Sequence, residues 1–295
     1  MTNRYAAPVL RWYAANARDL PWRRPDASAW SVLVSEIMLQ QTPVARVLPA
    51  HAAWLERWPT PQALAAAAPG DAVRQWGRLG YPRRALWLHA SAVILAEEHG
   101  GRVPASVHAL RGLPGVGGYT AAAVASFAFG QRHAVLDTNV RRVLARLVRG
   151  EEQPPRSASA AEALLAQSLL PAAPARAARW SVAVMELGAL VCTAASPDCA
   201  GCPVARQCAW RRAGSPAGPR RAGQPRYEGS DRECRGRLLG VLREASGPVA
   251  AGRLAAAWPD REQFARALRA LVADGLAADL ADGRYALPGR AAALR

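Results

Sequence analysis

From residue 1 to about residue 210, apolar side chains recur at helical spacing, as at Val140, Val143, Leu144 and Leu147. No sustained alternation with a period of two appears over this range. Proline and glycine punctuate the segments at Pro21, Pro43, Pro49, Pro59, Pro69, Gly80-Tyr81-Pro82 and Pro104. The pattern predicts a succession of helices separated by short turns. From 211 to 230 the text becomes RRAGSPAGPRRAGQPRYEGS, which lacks periodicity and predicts a flexible Pro/Gly/Arg-rich linker. Beyond it, CRGRLLGVLREA, GRLAAAW and REQFARALRALVADG read as three helices. LAADLADGRYALPG then alternates about Asp282-Gly283, a hairpin turn signal. The expected organisation is a helical domain over 1–210, a linker over 211–230 and a small winged-helix-like module over 231–295.

Charge changes this picture by adding a partner. The chain carries 38 basic residues against 22 acidic ones, a formal net charge of +16. All 38 are arginine, and alanine is abundant, so part of the bias is compositional. The excess that survives points to a polyanion, with nucleic acid favoured. A membrane surface is disfavoured because no basic amphipathic helix carries a Trp/Phe/Leu face. The longest apolar runs, such as 120–129, are too short to span a bilayer. The N-terminus has no charged segment followed by an apolar run, so a soluble cytoplasmic protein is expected. With no lysine, no side chain of this protein forms a lysine Schiff base with a sugar aldehyde.

Three stretches carry candidate chemistry. LPGVGGYTAAAV (113–124) turns on glycines into a helix N-terminus, whose free N–H groups and dipole suit a phosphate; a plain helical corner has the same text. Cys192, Cys199, Cys202 and Cys208 have the spacing C-x6-C-x2-C-x5-C, which suits a four-thiolate site for zinc or an iron–sulfur cluster. Cys234 reads as a spare. The third is a pair of carboxylates. On a helix, Glu36 in SVLVSEIMLQQT has Val32, Leu33, Leu39 and Gln40 as neighbours and no basic partner. Buried there, its pKa rises; turned to water, it is an ordinary surface glutamate. Asp137 in LDTNVRRVLARL directly precedes a helix, where an aspartate caps free N–H groups and stays ionised. One neutral and one charged carboxyl is also the pairing that glycosidic bond cleavage uses.

Taken together and in this order, LPGVGGYTA, LDTNV and the cysteine spacing resemble the endonuclease III-like helix–hairpin–helix DNA glycosylases, and LQQT with Glu36 resembles their adenine glycosylase (MutY) branch. The resemblance covers roughly the first 210 residues. It implies an all-α, two-lobed fold with the active cleft between lobes, Glu36 and the hairpin on one lobe, and Asp137 and a [4Fe–4S] loop held by the four cysteines on the other. It implies that Glu36 protonates adenine, that Asp137, in a motif with Asn139, stabilises the cationic sugar, and that Tyr119 stands where strand-cutting relatives place a lysine. Gln41 and Tyr81 match residues inserted and stacked at the lesion, and Gly115 and Gly117 hold phosphate. The expected substrate is duplex DNA with adenine opposite 8-oxoguanine or guanine, bound by a monomer associated with the nucleoid. Thymine or uracil removal opposite guanine, and a silent iron–sulfur DNA-binding protein, are the competing readings.

The chain also departs from the family pattern. TAASPD between Cys192 and Cys199 lacks the usual basic residue, with Arg206 nearby. Val182 stands where an amide or carboxylate often meets adenine, and the tail is too short and too helical for the β-rich lesion-reading domain of the family. The five histidines show no metal spacing, and Trp22 and Trp30 read as core or pocket wall.

Overall fold

The computed structural model describes residues 3–219 and 226–289. The helical spacing resolves into α1 (Ala6–Asn16), α2 (Ala29–Leu39), α3 (Val44–Arg57), α4 (Pro61–Ala65), α5 (Pro69–Trp76) and α6 (Arg83–Glu98). There follow α7 (Val107–Arg111), α8 (Gly118–Phe129), α9 (Thr138–Leu144), α10 (Ala160–Ser168), α11 (Pro174–Leu190) and α12 (Ala209–Arg212). Start signals are local. Proline opens α4, α5 and α11, where its fixed φ suits the first turn and its missing N–H costs no bond. Ser159 and Glu162 form a reciprocal capping box on α10.

The chain divides into two compact units. One comprises Met1–Glu36, Pro104–Gly112 and Val116–Arg221; the other comprises Ile37–Val103, Leu113–Gly115 and Ala222–Arg295. In the first unit, α1, α9, α10 and α11 bury Val9, Val143, Leu144, Leu147, Trp180, Val184 and Leu187 in one core, with Cys192, Cys202 and Cys208 packed against it. In the second, α4 and α5 pack on α6, and Trp54 meets Trp58 and Trp76 edge-on with centroids 4.7 and 5.7 Å apart, the arrangement favoured by ring quadrupoles.

The expected linker includes residues 220–225, which lie outside the described residues, as do 290–295 at the end of the module. Up to Gly218 the chain is tied down: Trp210 Nε1 donates to the Pro216 carbonyl at 2.8 Å and the Gly218 N–H donates to Glu152 at 2.6 Å. After it, Ser230 caps α13 (Asp231–Glu244). Then come β1 (Val249–Ala250), α14 (Ala251–Ala255), α15 (Arg261–Ala273), β2 (Ala278–Asp279) and β3 (Arg284–Ala286). The hairpin expected at Asp282-Gly283 is β2–β3, with Ala278 opposite Ala286. Strand β1 is not among the elements that the sequence pattern predicts. Two residues long, it is too short to show alternation, and pairing with β3 creates it. The module thus runs helix–strand–helix–helix–strand–strand, with its three short strands in one antiparallel sheet.

Within the second unit this module docks on α5 through main-chain acceptors. Arg74 donates to the carbonyls of Arg243 and Ala245 at 2.9 and 3.0 Å, and Arg243 donates back to the Val73 carbonyl at 2.9 Å. The Gly70 N–H bonds the Pro288 carbonyl at 2.8 Å. A Cβ at Gly70 would lie 2.7 Å from that oxygen and 2.9 Å from Leu287 Cβ, so only glycine allows the approach. Gly70→Val should therefore loosen the module, costing about 1–3 kcal/mol as overpacking does. The expected readouts are a lowered Tm and faster proteolytic release of the C-terminal module; an unchanged Tm and an unchanged digestion rate would show that the docking does not hold it.

Candidate active site

Helix α2 decides the state of Glu36. Residues Trp30 to Met38 are all buried, so this helix has no face turned to water. Glu36 is 5 % exposed, and burial pushes its pKa up to about 7. A hydrogen bond from the Tyr119 hydroxyl, at the first turn of α8, pulls the other way; the Asp137 carboxylate adds to the rise, and the Arg23 cation opposes it. Tyr119 is itself held well above its ordinary pKa, first by burial and then by the charges of Glu36 and Asp137. The phenol therefore stays protonated and serves as a donor.

Asp137 is the N-cap of α9, accepting from the Val140 N–H at 2.6 Å and from Asn139 Nδ2 at 2.8 Å. Burial raises its pKa, and these two donors oppose the rise. Asp137 is thus more than a solvated cap, because its carboxylate shares the electrostatic environment of Glu36 and Tyr119. Asn139 Oδ1 accepts from Arg142 at 2.8 Å, and Arg142 donates to the carbonyls of Gly188 and Cys192 at 2.7 and 2.8 Å. A continuous hydrogen-bonded path thus runs from the Asp137 carboxylate to the start of the cysteine loop.

Glu186 on α11 is a site residue that the sequence pattern does not single out. It is completely buried, and Arg18 grips both its oxygens at 2.7 Å while Arg23 adds a third contact at 2.8 Å. Burial alone would raise its pKa, but Arg18 and Arg23 overrule it and hold the carboxyl at about 2. This fixed carboxylate anchors Arg23, the cation that acts on Glu36. Its one signal in the sequence is a glutamate within the apolar run VAVMELGAL. Val182, one turn earlier on α11, is half-buried. Trp22 and Trp30 are both buried.

The second unit holds Gln41, Tyr81 and Gly115, while Gly117 and the four cysteines belong to the first. Gly115 has φ +76° and its missing Cβ leaves room for Trp87, 2.9 Å away. The hairpin is tied there by Ser91 Oγ donating to the Pro114 carbonyl at 2.9 Å. Gly117, the N-cap of α8, faces open space. Gln41 and Tyr81 are exposed, and both adopt left-handed backbone, with φ of 57° and 47°. Side chains other than glycine rarely do so without support from their surroundings.

Cys202 is pushed up to about 11, first by burial and then by Cys192, Cys208 and Cys199. Arg146, in a wide π turn over Ala145–Arg149, lies 3.5 Å from Cys192 Sγ, donates to the carbonyls of Thr193 and Ala194 at 2.7 and 3.0 Å and stacks on Trp210. Cys234 is buried in the core of the C-terminal module, apart from this group.

Residues 34–168 match the HhH-GPD superfamily of base excision DNA repair proteins. The chain is 52% identical to the adenine DNA glycosylase of Mycolicibacterium smegmatis over 282 residues, 95% of each chain. It is 44% identical to the human adenine DNA glycosylase over 218 residues, 70% of this chain and 39% of the human one. Among solved structures, a thermostable thymine-DNA glycosylase superposes with a TM-score of 0.64 at 27% identity, over 71% of this chain and 95% of that one. An endonuclease III–DNA covalent intermediate gives 0.60 at 23% identity, with the same coverage, and shares the fold. The chain therefore belongs to the adenine DNA glycosylase family, within the HhH-GPD superfamily of base excision DNA repair proteins.

Proposed function

We propose that this enzyme removes adenine mispaired with 8-oxoguanine or guanine in duplex DNA, hydrolysing the N-glycosidic bond without cutting the strand. The observation that carries the reading is the buried Glu36 carboxyl, held near pKa 7 against Tyr119 and within the field of Asp137. A purine leaves as a neutral base once a ring nitrogen accepts a proton, and Glu36 is the donor. The sugar left behind develops positive charge, which the Asp137 carboxylate stabilises while Asn139 and the Val140 N–H fix its orientation. Water then completes the hydrolysis. The chain has no lysine, so no side-chain Schiff base leads on to strand cleavage, and Tyr119 offers a hydroxyl at that place. Flipping adenine out costs a few kcal/mol and is cheapest at a mispair. Gln41 and Tyr81 act in the duplex at the lesion, and the turn at Gly115 and Gly117 holds backbone phosphate.

Cys192, Cys199, Cys202 and Cys208 would hold a [4Fe–4S] cluster. Each thiolate of such a cluster binds a different iron, so the four donors lie farther apart than around one ion. The four thiolates in the spacing C-x6-C-x2-C-x5-C supply the donor set such a cluster takes, and the family resemblance favours it over zinc. When bound, the cluster would pin the loop from 192 to 208 against the first core. Protein purified anaerobically should carry about four irons per chain; stoichiometric zinc with negligible iron would overturn this assignment.

Glu36→Gln keeps the shape and loses the acid. Single-turnover adenine release from an 8-oxoguanine·adenine duplex should fall by at least about 10³-fold while duplex binding persists. A rate within tenfold of wild type would remove Glu36 from the acid role. The same assay on thymine opposite guanine separates adenine from thymine removal.

The raised pKa also sets a pH dependence. Wild-type release should fall above about pH 7 as Glu36 ionises, and fall again in acid as Asp137 takes up a proton. Because the Tyr119 hydrogen bond favours the ionised form, Tyr119→Phe should move the falling limb to higher pH. Stability follows the same group: between about pH 4.5 and 7 the folded state holds a proton that the unfolded chain has lost, so Glu36 makes the fold less stable as pH rises through that window. A falling limb unmoved by Tyr119→Phe would show that the phenol does not set the acid.

A further inference from the structure

Arg84 is 3 % exposed on the first turn of α6, and no acidic side chain among the described residues forms an ion pair with it. Its guanidinium is spent on main-chain and hydroxyl acceptors. Nη1 donates to the carbonyls of Ile37 and Met38 at 2.9 and 3.0 Å and to that of Gln40. Nη2 donates to Thr42 Oγ1 at 3.0 Å and to the Gly80 carbonyl at 2.9 Å, and Nε reaches the Tyr81 carbonyl at 3.4 Å. Trp76 and the Tyr81 ring cover the cation, 5.2 and 5.3 Å from their centroids.

These acceptors bracket two loops. Ile37 and Met38 are C-terminal carbonyls of α2, which lack helical partners and favour a cation. Gln40 and Thr42 flank Gln41, while Gly80 and Tyr81 form the other loop, to which Thr42 Oγ1 also donates through the Leu79 carbonyl at 3.3 Å. The residues at the two tips, Gln41 and Tyr81, are both in the left-handed region. A non-glycine residue there costs roughly 1–2 kcal/mol, so each loop relaxes unless its neighbours hold it. A planar fork with five donors can satisfy several carbonyls in fixed directions; an ammonium cannot.

We propose that Arg84 is a positioning residue for lesion recognition, clamping the Gln41 and Tyr81 loops together in their strained backbone conformations before DNA binds. The inference rests on the reading that Gln41 and Tyr81 meet the duplex at the lesion. Without the clamp the loops sample relaxed states, and the competent fraction falls. Apparent Kd rises in inverse proportion to that fraction, while the chemistry at Glu36 is untouched once DNA is bound.

The test uses the full-length protein. Kd is measured in a Glu36→Gln background, and single-turnover release at saturating enzyme is measured in the Glu36 background, for adenine opposite 8-oxoguanine and opposite guanine. Arg84→Lys should raise Kd for the 8-oxoguanine duplex about tenfold, narrow its advantage over the guanine duplex, and change the saturating rate less than about threefold. Thr42→Val, which removes one Arg84 acceptor without touching the arginine, should shift both in the same direction by less. In a Gln41→Ala, Tyr81→Ala background, Arg84→Lys should add nothing further to the loss of discrimination.

The outcomes separate cleanly. If Gln41→Ala, Tyr81→Ala narrows discrimination but Arg84→Lys only lowers Tm and active fraction, the positioning role is overturned while the lesion-reading role stands. An Arg84→Lys effect fully additive with the loop changes overturns the positioning role in the same way. If Gln41→Ala, Tyr81→Ala leaves discrimination intact, the underlying reading of those loops fails, and the proposal fails with it.

Discussion

Everything at the reactive centre depends on α2 being apolar and buried on every side. A carboxyl placed in such a helix is largely withdrawn from water, so its charge is penalised and its pKa rises to about 7. That single constraint lifts an ordinary glutamate to a pKa of about 7. It also dictates what surrounds it: Tyr119 must stay a neutral donor, and the balancing cation, Arg23, must be held in place by something other than Glu36. Glu186 does this, with a carboxylate fully committed to Arg18 and Arg23. Glu186 is kept charged by its partners, whereas at Glu36 burial outweighs the opposing pull of Tyr119 and Arg23.

A second theme is how a chain without lysine uses its arginines. Several of them serve the interior. Arg84, Arg142 and Arg146 are each buried and each donates chiefly to main-chain carbonyls at helix ends and loop turns. Such fork-shaped donors fix loop geometry in several directions at once. The surplus positive charge is also unevenly spread. Residues 231–295 contain eleven arginines against eight carboxylates, so most of the chain's excess of positive charge lies outside the C-terminal module. The net charge of the whole chain therefore says little about what that module does.

Much of this is legible in the sequence, for identifiable reasons. Helix spacing, proline starts and the Asp282-Gly283 turn are local signals, and the structure follows them. Asp137 as a cap is likewise local. The state of Glu36 is not, because its three- and four-residue neighbours describe one helix face, and burial of the opposite face comes from other parts of the chain. Glu186 is hidden for a related reason: its partners lie 163 and 168 residues away. The strain at Gln41 and Tyr81 leaves no mark in the text at all, since neither glycine nor asparagine announces it. The bonds from Arg84 to the Gln41 loop join parts of the chain far apart in sequence, and no local pattern shows them.

The docking of the C-terminal module has an evolutionary consequence. Arg74 and Arg243 each bond to carbonyl oxygens, which every amino acid supplies. The acceptor positions Val73 and Ala245 are therefore free, as far as these bonds go, to change identity without loss of contact, whereas Gly70 and the two arginines are not. Drift on this interface should be lopsided: three positions held fast amid neighbours that vary, so that related chains retain the joint while the surfaces around it diverge.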